Sequence, residues 1–262
     1  MSASDSLVLE YLLDAACQEV KKHGFSIMRG PINAPRNLFG YGVQVSGYEW
    51  PVVAGSSADT PAYKDYFTEL EHQHYFVKKD KYYNLSQDFK KTSEYISTFT
   101  LDRHFRVINP DFNNLGELPS LVANMMNLTL NYRPDYMATN PSKLRASVEM
   151  YKLVPGSERL IGLFFDGDVF AGAVIMQPDW FQALAHRPVT TIIGDIYMLD
   201  KAYQGRRLFM NFSEYTAKVL AERGAQHYEH ASTWEQMGVM DSAIKNGYVS
   251  IIKEFWVYEK RC

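Results

Sequence analysis

Apolar positions recur along this chain with two different periods, and each change of period marks an element. Val8, Leu12, Leu13, Ala16 and Val20 repeat at helical spacing behind Ser6, a side chain able to cap a helix, and Gly24 ends the run. Residues 25–28 predict a short strand. From 31 to 61 the chain is rich in Gly, Pro, Ser and Asn, and 40–55 (GYGVQVSGYEWPVVAG) reads as strand and turn pieces. A helix is expected over 62–74. The polar, aromatic, lysine-bearing segment 78–100 is expected to be partly helical.

Beyond residue 103 the pattern is cleaner. Residues 105–108 predict a strand and 118–130 a helix, and Pro134 and Pro141 bracket a loop. Ser142 is placed to cap a second helix with Leu144, Val148 and Met150 inward. Then 159–165 (RLIGLFF) and 169–176 (VFAGAVIM) flank Asp166-Gly167-Asp168, the strongest hairpin signal in the chain, since an Asp-Gly turn suits a two-residue loop. A long strand is expected over 189–199, a polar loop over 201–207 and a helix over 208–223 stopped by Gly224. A strand at 226–230, a helix at 235–246 and a closing strand or hairpin at 248–258 complete the series. The strand–helix–strand alternation implies parallel neighbours in a covered mixed sheet. There is no internal repeat and no low-complexity segment.

Composition narrows the class. With 262 residues, 46% hydrophobic and 22% charged, the chain can bury a substantial core. A net charge of -3 excludes a global polyanion binder. The N-terminal stretch has no basic leader region and carries acids through its apolar part, so it does not read as a signal peptide. No apolar run approaches a membrane span. Two cysteines, Cys17 and Cys262, do not make a disulfide framework and fit a reducing cytosol. A cytoplasmic protein with no membrane association is the expectation.

The order from residue 103 onward is strand, helix, helix, three strands, helix, strand, helix, strand. This order, together with 158–176 (ERLIGLFFDGDVFAGAVIM), 199–209 (LDKAYQGRRLF) and 240–248 (MDSAIKNGY), resembles the GNAT (Gcn5-related) N-acetyltransferase superfamily. The resemblance covers about 103–260. It implies an α/β (α+β) fold, a GNAT-type mixed central sheet flanked by helices, with an additional N-terminal α/β region. Residues 1–100 would be an accessory region on the acceptor side, and 101–262 the acyltransferase domain.

By that resemblance, 199–209 occupies the place of the acyl-CoA motif, and acetyl-CoA is the co-substrate. The turn and helix start would offer backbone N–H groups and a favourable dipole to a diphosphate. Gln204, Gly205, Arg206, Arg207 and Leu208 would hold the diphosphate, and the strand end at Tyr197, Met198 and Leu199 would run beside the pantetheine arm. The chain departs from the family where Lys201 replaces the usual Pro and where Arg207 and Phe209 stand at small positions. Ala243 stands where many members carry a tyrosine acid.

N-acyl transfer needs an amine deprotonated and held at the thioester. Asp195, the one acid of its strand, is the candidate base, and with period two Ile193, Asp195, Tyr197 and Leu199 would share a face. Tyr197, Glu229 and Ser232 are substitute acids. No metal is expected: His72 and His74 lack a third ligand, and His227 and His230 flank Glu229. Lys78, Lys79, Lys81, Lys90 and Lys91, interleaved with Tyr82, Tyr83 and Phe89, read as a solvated face or an anion-touching patch.

Three functions follow. The first is an N-acyltransferase moving an acetyl group from acetyl-CoA to an amine on a small molecule, a protein or a nucleic acid base. The second is an aminoacyl transferase on the same fold, against which the short and irregular first hundred residues count. The third is a non-catalytic binding or assembly protein. The chain could act as a homodimer.

Overall fold

The computed structural model describes residues 4–33, 36–98, 104–134, 136–205 and 208–262. The chain divides into two compact units, Met1–Ser86 with His230–Cys262, and Gln87–Glu229. The end of the chain joins its beginning in the first of these units.

The first unit contains α1 (Ser4–Lys22), β1 (Ile27–Gly30), α2 (Arg36–Phe39), β2 (Val43–Ser46), α3 (Pro61–His72) and β3 (Val77–Gln87, except its last residue). The second contains α4 (Phe89–Ser97), β4 (Arg106–Ile108), α5 (Leu118–Thr129), α6 (Pro141–Tyr151), β5 (Ile161–Asp166), β6 (Val169–Pro178), α7 (Trp180–Leu184), β7 (Thr191–Leu199) and α8 (Leu208–Glu222). Strand β8 (His227–Trp234) begins in the second unit and ends in the first, which then adds α9 (Gly238–Lys245) and β9 (Val249–Arg261). The architecture is α/β, with a mostly antiparallel sheet flanked by helices.

In the first unit the strand order is β1-β9-β3-β8, with β2 also on β9. Ile27 lies opposite Arg261 and Val43 opposite Trp256, both antiparallel. One face buries Val43, Phe67, Leu70, Phe76 and Tyr258, with Leu9 and Leu13 of α1 packed against them. Tyr41, Tyr82, Phe255 and Val257 form a second cluster. Segment 78–100 is partly helical as expected, through α4, and its first part belongs to the eleven-residue strand β3. Asp80, Tyr82 and Asn84 are buried in alternation and Leu85 beside them, so polar Asp80 and Asn84 share the strand's interior with Tyr82 and Leu85. Asp80 is matched by Arg29 and by the Trp234 indole at 3.2 Å, which makes such burial tolerable.

Cys17 of α1 and Cys262 are joined in a disulfide, their Cα atoms 5.2 Å apart. This corrects the expectation of unpaired thiols. Two cysteines 245 positions apart carry no spacing signal, and only the fold brings them together. Lys260 reinforces the same junction through Asp14 at 3.2 Å.

In the second unit the order is β4-β5-β6-β7, followed by the start of β8. The hairpin forms as expected, with Asp166 opposite Val169 and Gly167 opening the loop at φ +58°. Helix α6 is capped by the Asn140 side chain, which accepts from the Lys143 amide, two residues earlier than the expected Ser142 cap. Helix α5 supplies Val122, Met125 and Met126 to a core completed by Leu163, Phe165, Ala173, Ile175 and Met198.

Helix α8 meets the sheet through two glycines. A Cβ on Gly162 would lie 2.6 Å from the Tyr215 ring, and one on Gly172 2.5 Å from the Met198 carbonyl and 2.8 Å from the Phe212 ring. Only glycine admits these aromatic side chains so close to the strands. Among the described residues, no helix is long and apolar enough to cross a membrane.

Candidate functional site

The site expected from the sequence lies in the second unit, along β7 and the loop into α8. Strand β7 pairs with β6 in two registers. Ile175 faces Ile196 and Met176 faces Gly194, so Asp195 is the extra residue of a bulge. One extra residue slips the side-chain alternation by one. Ile193 therefore does not share a face with Tyr197, contrary to the period-two expectation. Ile196 and Met198 turn to the α5 core, while Tyr197 turns to α8. The sequence held a signal for this, because Gly194 interrupts an apolar strand run.

Asp195 is half-buried. Its charge acts on the hydroxyl of Tyr151, the last residue of α6. Burial first, and the Asp195 carboxylate second, hold that phenol well above its ordinary pKa. The Tyr151 hydroxyl donates to the Met176 carbonyl at 2.8 Å, on the β6 residue where the register changes. Its ring meets Trp180 edge-on, centroids 5.3 Å apart, and Phe112 at 6.0 Å. Tyr151 is the neighbour of Asp195 that no sequence pattern identified, since it reads as one more apolar position of a helix.

The other candidates are placed differently. The Tyr197 hydroxyl meets the Tyr228 hydroxyl and lies 3.4 Å from Thr216 Oγ1 on α8. Burial raises the pKa of Tyr197, and its two hydroxyl partners oppose the rise. Glu229, 1% exposed, receives His227 Nε2 at 3.3 Å at the start of β8. Ser232 lies in the first unit at φ +51°, its hydroxyl donating to the Gly55 carbonyl at 2.7 Å and its N–H to Asn84 Oδ1 at 3.0 Å. Tyr197 and Glu229 thus share a unit with Asp195, and Ser232 does not.

The loop after β7 is pinned to the hairpin. The Asp200 N–H donates to the Ala171 carbonyl at 3.0 Å, the Asp200 carboxylate accepts from the Ala202 N–H at 2.8 Å, and the Tyr203 hydroxyl reaches Asp166 Oδ2 at 3.2 Å. A 3-10 turn covers Lys201–Tyr203, Gln204 follows in an extended conformation, and Gly205 sits at φ +79°. Nothing lies within 4 Å of where a Gly205 Cβ would be. Arg206 and Arg207 lie outside the described residues. Leu208 opens α8 fully buried, and Met198 is equally inward, so these two can meet a ligand only through their main chain. The Phe209 ring turns to the sheet, its centroid 5.9 Å from Tyr197 and 6.3 Å from Phe212.

The lysines are divided between the two units. Lys78 pairs with Glu71, Lys79 with Glu259 and Lys81 with Glu254 on the first unit, whereas Lys90 and Lys91 stand on α4 of the second. His72 ends α3 and His74 follows at φ +58°. Among the described residues, no three His, Cys, Asp or Glu side chains are grouped to hold a metal.

No protein-family model matches the chain, and no curated protein sequence does. Solved structures do. The chain is similar to the GCN5-related glucosamine N-acetyltransferase region of a fungal multi-domain GH3 β-N-acetylglucosaminidase, with TM-score 0.59 and 12% identity over 95% of this chain and 27% of that one. A tandem GNAT protein of the clavulanic acid biosynthesis pathway gives TM-score 0.55 and 10% identity over 96% of this chain and 69% of that one. A GCN5-related N-acetyltransferase from Sphaerobacter thermophilus gives TM-score 0.52 and 10% identity over 75% of this chain and 56% of that one. The chain thus spans about half of one of these proteins and about a quarter of another. At these identities the likeness establishes the GNAT fold.

Proposed function

We propose that this chain is an N-acyltransferase that moves an acyl group, acetyl in the simplest case, from acyl-CoA to an amine. The observation that carries this reading is the left-handed Gly205 turn, open on its outer side, placed between a bulged strand and the first residue of a fifteen-residue helix. A helix start favours a diphosphate through its outward amides and dipole. The main chain of 197–199 would run beside the pantetheine arm, which suits the inward side chain of Met198.

Asp195 is assigned as the base, directly or through one water, because it is the carboxylate at the bulge. The amine gives up a proton to Asp195, its nitrogen bonds to the thioester carbon, and the tetrahedral adduct collapses as the C–S bond breaks. The thiolate of coenzyme A leaves without needing a dedicated acid, which fits Ala243 at the family's tyrosine position. The acceptor is open. An amino sugar is the first to try, because the fungal neighbour is described as a glucosamine N-acetyltransferase region. A cytosolic place of action belongs to the same proposal.

One observation favours a second reading. Phe209 stands where the family has a small residue, and its ring packs on Tyr197, which suits a chain that keeps the fold as a binding or assembly protein. Thermal unfolding with acetyl-CoA separates the two, since a ligand bound to the native state alone raises Tm. A rise is expected, and its absence at millimolar acetyl-CoA or coenzyme A favours the assembly role. With an acceptor in hand, Asp195→Asn is expected to abolish turnover and keep the acetyl-CoA shift. Unchanged turnover removes Asp195 from the mechanism.

A further inference from the structure

Helix α1 is held to its unit by a narrow strip. Leu9, Leu13 and Val20 are only half-buried, and among the described side chains of the helix the fully enclosed ones are Ser6 and Cys17. On the other side Leu7, Val8, Tyr11 and Leu12 are exposed, Tyr11 by 76%. Three polar ties join the strip: the Tyr75 hydroxyl meets the Glu10 carbonyl at 2.9 Å and also the Asp14 carboxylate, and Lys260 pairs with Asp14. Asp14 is itself half-exposed, so water screens that pair. A helix with so little buried apolar area is among the first parts of a protein to open. The covalent bond from Cys17 to Cys262 is therefore its main fastening. Cys17 is 5% exposed, while Cys262 is half-buried, and the Cys262 N–H donates to the Ser26 carbonyl at 2.9 Å.

We propose that the Cys17–Cys262 bond is a thiol-exchange site through which the surrounding thiol–disulfide balance decides whether α1 stays fastened to β9, with Cys262 the sulfur that a small thiol attacks. Exchange needs the attacking thiolate to reach one sulfur while the other leaves, and the buried sulfur is the leaving one. A thiolate RS⁻ bonds to the Cys262 sulfur, the Cys17–Cys262 bond breaks, and Cys17 departs as a thiolate that takes up a proton. A second RS⁻ then attacks the outer sulfur of the mixed disulfide, releasing RSSR and the Cys262 thiol. The two small thiols together supply two electrons. A bond of this kind in a reducing compartment is typically transient or sensing rather than structural.

The test uses the full chain equilibrated with glutathione at stepped ratios of reduced to oxidised form. Samples are acid-quenched and mapped by mass spectrometry, with amide hydrogen exchange followed in parallel. Oxidised glutathione should close the bond, and intermediate ratios should yield a glutathione adduct on Cys262. Reduction should speed exchange across Ser4–Lys22 at least tenfold and leave Pro61–His72 unchanged. Cys17→Ser, left able to carry only the Cys262 adduct, should show the fast α1 exchange at every ratio. Free thiols persisting in oxidised glutathione would overturn the proposal, as would an adduct on Cys17 or unaltered α1 exchange on reduction. Loss of protection in α3 together with α1 would also overturn it, because the bond would then hold the whole unit rather than one helix.

Discussion

The Tyr151 hydroxyl donates to the Met176 carbonyl at 2.8 Å, on the residue where β6 changes register against β7 and Asp195 becomes the extra residue of the bulge. A phenol on α6 thereby ties a helix end to the irregular part of the sheet. The bond is buried, so its loss cannot be made good by water.

Tyr151→Phe removes the donor and keeps the ring against Trp180. A buried carbonyl left without this partner costs about 1–3 kcal/mol, and about 2–4 °C of Tm per kcal/mol is the scale for a chain of this size. Urea unfolding should show the midpoint falling with the slope unchanged. An unaltered midpoint would mean that the tie contributes nothing to stability.

The two glycines beneath α8 should differ in tolerance. At Gly172 an added methyl meets the Met198 backbone, which cannot step aside, and about 1–3 kcal/mol is the expected cost of Gly172→Ala. At Gly162 the obstacle is the Tyr215 ring, a side chain that can tilt, so Gly162→Ala should cost less. Thermal unfolding of the two variants side by side checks the order, and a reversed order refutes the backbone argument.

Gly205 has room for a side chain but not the conformation for one. At φ +79° an L residue costs about 1–2 kcal/mol, and a branched side chain would fill the open space the diphosphate is assigned to. Gly205→Val should fold, with unchanged far-ultraviolet circular dichroism, and lose the rise in Tm produced by acetyl-CoA. A retained rise would move the diphosphate elsewhere.

Asp59 carries a pH signature. Its carboxylate accepts from the Gln44 N–H at 2.9 Å, yet burial dominates and raises its pKa above the ordinary 3.8. A folded-state pKa above the unfolded one means that this carboxyl favours the fold at acid pH, below the unfolded value. That contribution is lost as pH rises through the folded value, and at neutral pH the ionised group weighs against folding. Asp59→Asn keeps an acceptor for Gln44 and should be more stable than the parent at pH 7 but not at pH 3. An equal difference at both pH values would dismiss the burial account.

Much of the second unit was legible because its signals are local. The Asp-Gly hairpin, the apolar run of β7 and the glycine stop after α8 each lie within a dozen residues, and all three appear where expected. The first unit was harder to read because its strand β3 buries Asp80 and Asn84, whose partners Arg29, Trp234 and Ser56 come from distant segments. The bulge at Asp195 was hinted at by Gly194, but the pairing that defines it needed β6. Nothing in the sequence placed Tyr151 beside Asp195 or Cys17 beside Cys262, because each pair is made by tertiary packing alone.

The close seating of α8 has a mechanical meaning. With Tyr215 over Gly162 and Phe212 over Gly172, the helix is keyed at two points and can neither slide nor roll without lifting a ring out of its slot. Any pull at its first turn is delivered to β5 and β6 as to the teeth of a gear, so an anion seated there would stiffen the hairpin while leaving the helix itself where it was.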